Sequence, residues 1–172
     1  MKFDLNNPRT LANTAIMTAL VLGLTFIHIM QTPTGGYIHF GDIAIYFASF
    51  AFGPWVGLVA GGLGTGLADM LSGYPSFAPM SLIVHGLQGF AAGWIARKNP
   101  RPLYLALAIL AGGAIVIAGY FVGEAAIPIF GGLTAAVGEI PGNVVQELIG
   151  ALGAIVYTAV ADAYPRLRQA GS

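Results

Sequence analysis

From Leu11 to Ala161 the sequence is a succession of long apolar stretches, and the breaks between them are short and rich in glycine and proline. A helix that crosses a bilayer needs about 20 mostly apolar residues. On that rule the chain divides into six: Leu11 to Met30, Ile38 to Phe52, Trp55 to Leu71, Ala78 to Ala96, Leu103 to Val122 and Ile140 to Ala161. The second stretch is the shortest. The breaks carry Pro33, Gly35 and Gly36, then Gly53-Pro54, then Ser72-Gly73-Tyr74-Pro75, then Arg97 to Pro102, then Phe130 to Thr134. This is the pattern of an all-α integral membrane protein with one six-helix domain over residues 1–172.

Composition points the same way. Only 8% of the residues are charged and 56% are hydrophobic, against roughly a quarter charged in soluble domains. Seven acids and seven bases cannot coat a soluble surface, so lipid is the solvent. The 25 glycines suit helices that pack closely in a membrane. The N-terminal segment is not read as a signal peptide, because the apolar run behind it is long and the rest of the chain is equally apolar. With no cysteine and three scattered histidines there is no basis for a disulfide framework or a zinc cage, and no cofactor or nucleic-acid partner is expected.

The basic residues set the orientation, since lysine and arginine collect on cytoplasmic loops. Lys2 and Arg9 precede the first span, Arg97, Lys98 and Arg101 separate the fourth from the fifth, and Arg166 and Arg168 follow the sixth. With both termini cytoplasmic, all seven fall inside and none falls in an outer loop.

The acids are sorted differently. Asp42 opens the second span at its outer end, Asp69 lies near the outer end of the third, and Glu124 ends the fifth. His85 is about two turns into the fourth, and Gln88 shares its face three residues on. Glu139 begins the sixth, with Asn143, Gln146 and Glu147 on one face behind it. At 1.5 Å per residue most of this set lies within about 10–15 Å of the outer surface. An ionisable group inside a span costs about 2.5–3.5 kcal/mol on insertion scales, so several at one depth mark a polar cavity open to the outside. Plainer readings stand beside this one. Asp42, Asp69 and Glu139 fit solvated helix ends, with Asp42 and Glu139 favoured there by the helix dipole. His85 fits an interhelical hydrogen bond, and Asn143 and Gln146 fit glue between helices. Glu147, two turns into its span with no base near it in sequence, is the hardest to explain without a site.

Gly61-Gly62-Leu63-Gly64-Thr65-Gly66 is no phosphate loop, since it lacks a lysine and lies inside an apolar span. With Gly53 and Gly57 it reads as a face for close helix packing. Ala15 and Ala19 form a second small-xxx-small pair in the first helix, for which intramolecular packing is an equal reading.

Four segments, Tyr37 to Asp42, Phe52 to Gly57, Gly64 to Asp69 and Gly73-Tyr74-Pro75, resemble S components of energy-coupling factor (ECF) importers. The group closest in pattern includes riboflavin, hydroxymethylpyrimidine and related vitamin carriers, and Pro141 to Gln146 fits it too. The resemblance implies six helices in a prokaryotic plasma membrane. It implies a vitamin bound near the outer face by helices 4 to 6 under the loop after helix 1. It also implies docking on a membrane T subunit through Ala15 and Ala19, with two cytoplasmic ATPases driving transport; this chain has no Walker lysine motif of its own.

On that reading His85, Gln88, Glu124, Asn143, Gln146 and Glu147 contact the ligand together with Asp42, and Tyr37, His39 and Tyr74 form its lid or rim. The absence of bases in the outer half disfavours an anionic substrate. It favours a neutral or cationic heterocycle such as hydroxymethylpyrimidine, thiamine or a pyridoxine-like compound, with riboflavin as an alternative. An enzyme is not expected: Ser81 has no glycine-flanked elbow and no His-Glu-x-x-His run occurs. A solitary carrier coupled to protons through Glu124 or Glu147 is the other alternative, although no pair of repeats is evident.

Overall fold

The structure is a computed structural model that describes residues 4, 6–97, 101–165 and 167. In chain order its elements are α1 (Pro8–Thr25), β1 (His28–Gln31), β2 (Tyr37–His39), α2 (Gly41–Phe52), α3 (Pro54–Ser72), α4 (Ala78–Ala96), α5 (Pro102–Ala126), a short 3-10 turn (Pro128–Phe130), α6 (Gly132–Gly150) and α7 (Leu152–Ala163).

Local chemistry explains most of these boundaries. Proline occupies the first turn of α1, α3, α4 and α5, where its missing N–H costs nothing and its fixed φ suits the helix. Asn7 caps α1 by accepting the Arg9 N–H. Gly53 and Gly73 each adopt φ +90°, stopping α2 and α3 in a conformation that other residues resist.

Three expected boundaries are corrected, and the first adds a short ribbon to a fold that is otherwise helical, as expected. The first helix stops at Thr25 and not at Met30. His28 to Gln31 instead pair antiparallel with Tyr37 to His39, so a two-stranded ribbon joins an otherwise helical fold. Ile29, Tyr37 and Ile38 favour extended backbone, and a largely apolar run, interrupted only by His28, hides such a change because it shows no clear periodicity of its own. The Thr32–Gly36 turn closes the ribbon, with the Thr32 N–H donating to Gly36 O and Gly35 at φ +84°. The second helix accordingly begins at Gly41. The third correction is that α6 begins at Gly132, well before Ile140, and α6 and α7 follow one another with only Ala151 between them. Glu139 is therefore two turns inside a helix, and α5 runs on to Ala126, so Glu124 lies within its last turn.

Among the described residues, α2 is the central element. Nine of its positions are buried, from Gly41 to Ala51, and α1, α3, α4, α6 and α7 pack around it. The glycines on α3 and α4 let those two helices meet backbone to backbone. A Cβ on Gly62 would lie 2.6 Å from the Leu82 carbonyl oxygen, and one on Gly89 would strike the Gly57 carbonyl.

Side-chain size is inverted relative to a water-soluble bundle. Small and polar groups fill the interior, including Ala44, Ala48, Ala60, Ala92, Ala108 and Thr65. Leucines and isoleucines point outward, among them Leu71 and Leu110 at 69% exposure and Leu148 at 68%. A water-soluble monomer rarely leaves so much apolar area uncovered; in lipid it costs nothing. The Pro102–Ala126 and Gly132–Ala163 segments are long and apolar enough to cross a bilayer, with mean hydropathies of 2.4 and 1.7. Arg97, at the end of α4, stacks over the Trp94 ring at 3.4 Å, a pairing suited to a membrane boundary. Of the basic residues used for orientation, Lys2, Lys98, Arg166 and Arg168 lie outside the described residues.

Candidate functional site

The polar residues collect in two tiers. In the upper tier, the ribbon turn lies across α5 and α6. The Thr34 hydroxyl is 2.9 Å from Glu139 Oε2 and 3.1 Å from Glu124 Oε1, and the Thr34 N–H donates to Glu139 Oε2 at 3.2 Å. Beside it the Tyr37 hydroxyl donates to Asp69 Oδ1 at 2.6 Å. Burial and that hydrogen bond push the Tyr37 phenol well above its usual range, so it remains a donor. Tyr37 stacks on His28 with ring centres 3.8 Å apart and packs against Tyr74 at 4.7 Å, an aromatic rim.

His39, in the ribbon just ahead of α2, donates its backbone N–H to Gln146 Oε1 at 3.2 Å. Its Nδ1 accepts the Gly41 N–H at 3.1 Å, which leaves the proton on Nε2. Burial pulls this imidazole down to about 4, against the nearby Asp42 charge, so it is neutral at physiological pH.

These groups surround a cavity of about 20 Å³, room for about one water molecule. Of the ten residues expected at the ligand, Tyr37, His39, Glu124, Asn143 and Gln146 line it. Asp69 and Glu139, for which a solvated helix end was an equal reading, line it too and are only 4% exposed. Phe77, Ser81, Tyr120 and Gly36 complete the wall, with the Ser81 and Tyr120 hydroxyls 2.7 Å apart. Among the described residues, no lysine or arginine takes part. Tyr74 stands at the rim, outside the lining.

The lower tier is a continuous chain of hydrogen-bonding side chains. His85 Nδ1 is 2.8 Å from Gln88 Oε1, and Gln88 Nε2 donates to Glu147 Oε1 at 3.0 Å. Because the Gln88 amide nitrogen points at a carboxylate, its oxygen must accept, so His85 Nδ1 carries a proton. The same nitrogen is 3.1 Å from Asp42 Oδ1, close enough for an ion pair although not aligned as a hydrogen bond. Tyr46 closes the chain on the far side of Glu147. Asp42, His85, Gln88 and Glu147 thus lie beneath the cavity and not on its wall. The His85 hydrogen bond is made within α4, to Gln88, and across to α2 it has only the close approach to Asp42.

Several buried atoms in the two tiers have no hydrogen-bond partner: Asp69 Oδ2, Glu124 Oε2 and His85 Nε2 among them. Among the described residues no cluster of histidine and acids is arranged to hold a metal ion.

Sequence reasoning missed Thr34, Phe77, Ser81 and Tyr120. Helical spacing could have found two of them. Ser81 precedes His85, and Tyr120 precedes Glu124, by four residues on the same helix face. Thr34 gave no signal, because a threonine in a glycine-rich turn is unremarkable until the turn is placed.

The model of the family described as "ECF-type riboflavin transporter, S component" matches residues 5–163. The chain belongs to the ECF S-component family. It is a transport subunit of the membrane and not an enzyme. A Pyrococcus woesei protein of uncharacterised role is 33% identical over 77% of this S component and 86% of its own length. The thiamine precursor transporter HmpT of Lactococcus lactis subsp. cremoris is 31% identical over 86% of this chain and 84% of its own. Two solved structures share the fold at 21% identity. One, an S component of a bacterial ECF transporter, has a TM-score of 0.72 and is matched over 88% of this chain and 95% of its own. The other, ThiT from Listeria monocytogenes, has a TM-score of 0.68, with 94% and 99% covered.

Proposed function

We propose that this S component binds a small aromatic heterocycle bearing an amino group or a positive charge, of the hydroxymethylpyrimidine, thiamine or pyridoxine kind, for uptake by an ATP-driven ECF importer. The observation that carries the reading is the cavity wall. Asp69, Glu124 and Glu139 face it alongside Tyr37, Phe77 and Tyr120, with no lysine or arginine among the described residues that line it. Carboxylates fix amino groups and cationic rings, aromatic faces take a flat heterocycle, and the amides of Asn143 and Gln146 serve ring nitrogens and hydroxyls. The HmpT relative, named for a thiamine precursor, supports the same class.

The cavity as it stands is far smaller than the ligand, and ligand pockets run to about 300 Å³ or more. Entry requires the Thr32–Gly36 turn to lift from Glu124 and Glu139. A ligand that reaches further down meets His85, Gln88 and Glu147, with Asp42 behind them. Riboflavin is the second reading, favoured by the family description; its three-ring system demands a larger displacement of the same turn.

In this reading the chain crosses the membrane six times, with α6 and α7 together as the last span and both termini cytoplasmic. Ala15 and Ala19 are exposed on α1, next to exposed Leu11, Ile16 and Leu20. That face would meet the membrane T subunit, which two cytoplasmic ATPases would drive. The test is mass spectrometry of small molecules released from the purified, detergent-solubilised protein. A single stoichiometric pyrimidine, thiamine or pyridoxine-like compound is expected; uptake by vesicles holding this protein alone, lost when the proton gradient is dissipated, would contradict the importer.

A further inference from the structure

The contacts of Thr34 impose a count of protons. Its hydroxyl owns one hydrogen, yet its oxygen sits within hydrogen-bond distance of two carboxyl groups, Glu139 Oε2 at 2.9 Å and Glu124 Oε1 at 3.1 Å. Thr32 Oγ1 is a further hydroxyl near it, at 3.4 Å. If both glutamates were ionised, one short contact would set lone pair against lone pair. One proton on the pair removes the conflict. The Thr34 N–H, donated to Glu139 Oε2 at 3.2 Å, favours the negative charge on Glu139. Glu124, fully buried, then holds the proton and donates it to Thr34 Oγ1, while Thr34 donates to Glu139.

A second observation points to a ligand. Glu124 Oε2 and Asp69 Oδ2 are buried without any hydrogen-bond partner, and both residues line the cavity. A buried carboxyl oxygen left bare is costly, and the two belong to the residues that an incoming amino group would meet.

We propose that Glu124, Glu139 and Thr34 form an amino-group subsite that exchanges a proton for its ligand: the protonated pair holds the turn shut through Thr34, and a cationic or amino-bearing heterocycle takes the place of the Thr34 hydroxyl as Glu124 gives up its proton. The inference rests on the proposed vitamin-binding role. The proton balance is explicit. With thiamine, whose charge is fixed, the Glu124 proton leaves to solvent. With hydroxymethylpyrimidine it passes to a ring nitrogen and stays in the complex. Other ionisable groups face the pair. Asp69 on α3, Tyr37 and His39 on the ribbon, and Tyr120 on α5 line the same cavity, with His85 of α4 beneath it. Tyr37 is committed to Asp69 and His39 is neutral, so neither supplies a cation to replace the proton.

Infrared spectroscopy of the full-length, detergent-solubilised protein at pH 7 reads the proton directly. A carboxylic-acid carbonyl band is expected in the ligand-free protein, absent from Glu124→Gln and lost from the native protein on saturation with thiamine or hydroxymethylpyrimidine. Glu124→Gln should keep its ligand-free melting temperature, because the amide still donates to Thr34, yet bind at least tenfold more weakly. A ligand-free spectrum with no band that depends on Glu124 would overturn the inference, as would a band that persists in the saturated complex. If neither thiamine nor hydroxymethylpyrimidine binds, the functional reading fails by itself, and the ligand-free spectrum still decides where the proton resides.

Discussion

The Tyr46 hydroxyl donates to Glu147 Oε2 at 2.6 Å, tying the most buried helix, α2, to α6 at mid-bundle. The same hydroxyl is 3.1 Å from the Ile109 carbonyl of α5, so three helices meet at one oxygen. Gln88 supplies the second donor to Glu147. In a low-dielectric interior such a network is stabilising only while every member is satisfied.

Removing the tyrosine hydroxyl should therefore cost more than one hydrogen bond. Tyr46→Phe leaves a buried carboxyl short of a donor, a loss of about 1–3 kcal/mol. The melting temperature in detergent should fall, and Glu147→Gln, which still accepts from Tyr46 but turns its own amide nitrogen against the Gln88 donor, should fall as well. Equal melting of Tyr46→Phe and the native protein would mean that the network is slack.

The α3–α4 contact makes a steric prediction. A methyl group on Gly89 would run into the Gly57 carbonyl, and neither backbone can give way without separating the helices. Gly89→Ala should destabilise by about 1–3 kcal/mol. Gly23→Ala, where nothing lies within 4 Å of the added Cβ, should not. Thermal unfolding of the two variants side by side checks this.

Acid should weaken the ribbon's hold on α2. His39 titrates at about 4 when folded against 6.5 for the free group, so below 6.5 the unfolded chain binds a proton that the folded chain refuses. Its contribution to stability is complete above pH 6.5 and is lost as the pH falls toward 4. Melting temperatures recorded across that window should decline less steeply in His39→Gln than in the native protein.

Docking and binding should separate on α1. Ala15→Leu and Ala19→Leu enlarge exposed positions away from the cavity lining, so ligand affinity should be unchanged. Uptake in cells that supply the T subunit and ATPases should drop severalfold or more. Weakened ligand binding by the purified variant would place these alanines in a different role.

What the sequence disclosed follows from which signals are periodic or local. The span from Ala78 to Ala96 coincides with α4 because Pro75 and Pro79 mark its start and a charged, proline-rich break its end. The ribbon was hidden because Phe26 to Met30 continue the apolar run of α1 without a turn residue between them. The start of α6 was displaced by Gly131-Gly132 and by Pro141, which reads as a helix start although it lies inside the helix. For the site, the sequence placed all the acids at one level, whereas the structure divides them, with Asp69, Glu124 and Glu139 on the cavity wall and Asp42 and Glu147 beneath it. Nothing in the spacing separates Asn143 and Gln146 on the cavity wall from Glu147 below it. The role of Thr34 depends on where a turn folds back across two helices, which no local pattern encodes.

The central claim is that this S component holds an amino-bearing or cationic aromatic heterocycle between Asp69, Glu124 and Glu139. Isothermal titration of the purified protein with hydroxymethylpyrimidine, thiamine, pyridoxine and riboflavin tests it most directly. The account expects tight, one-to-one binding of one of the first three, lost in Glu139→Gln and Asp69→Asn. Binding of riboflavin alone, or a vitamin affinity indifferent to all three carboxylates, would contradict it.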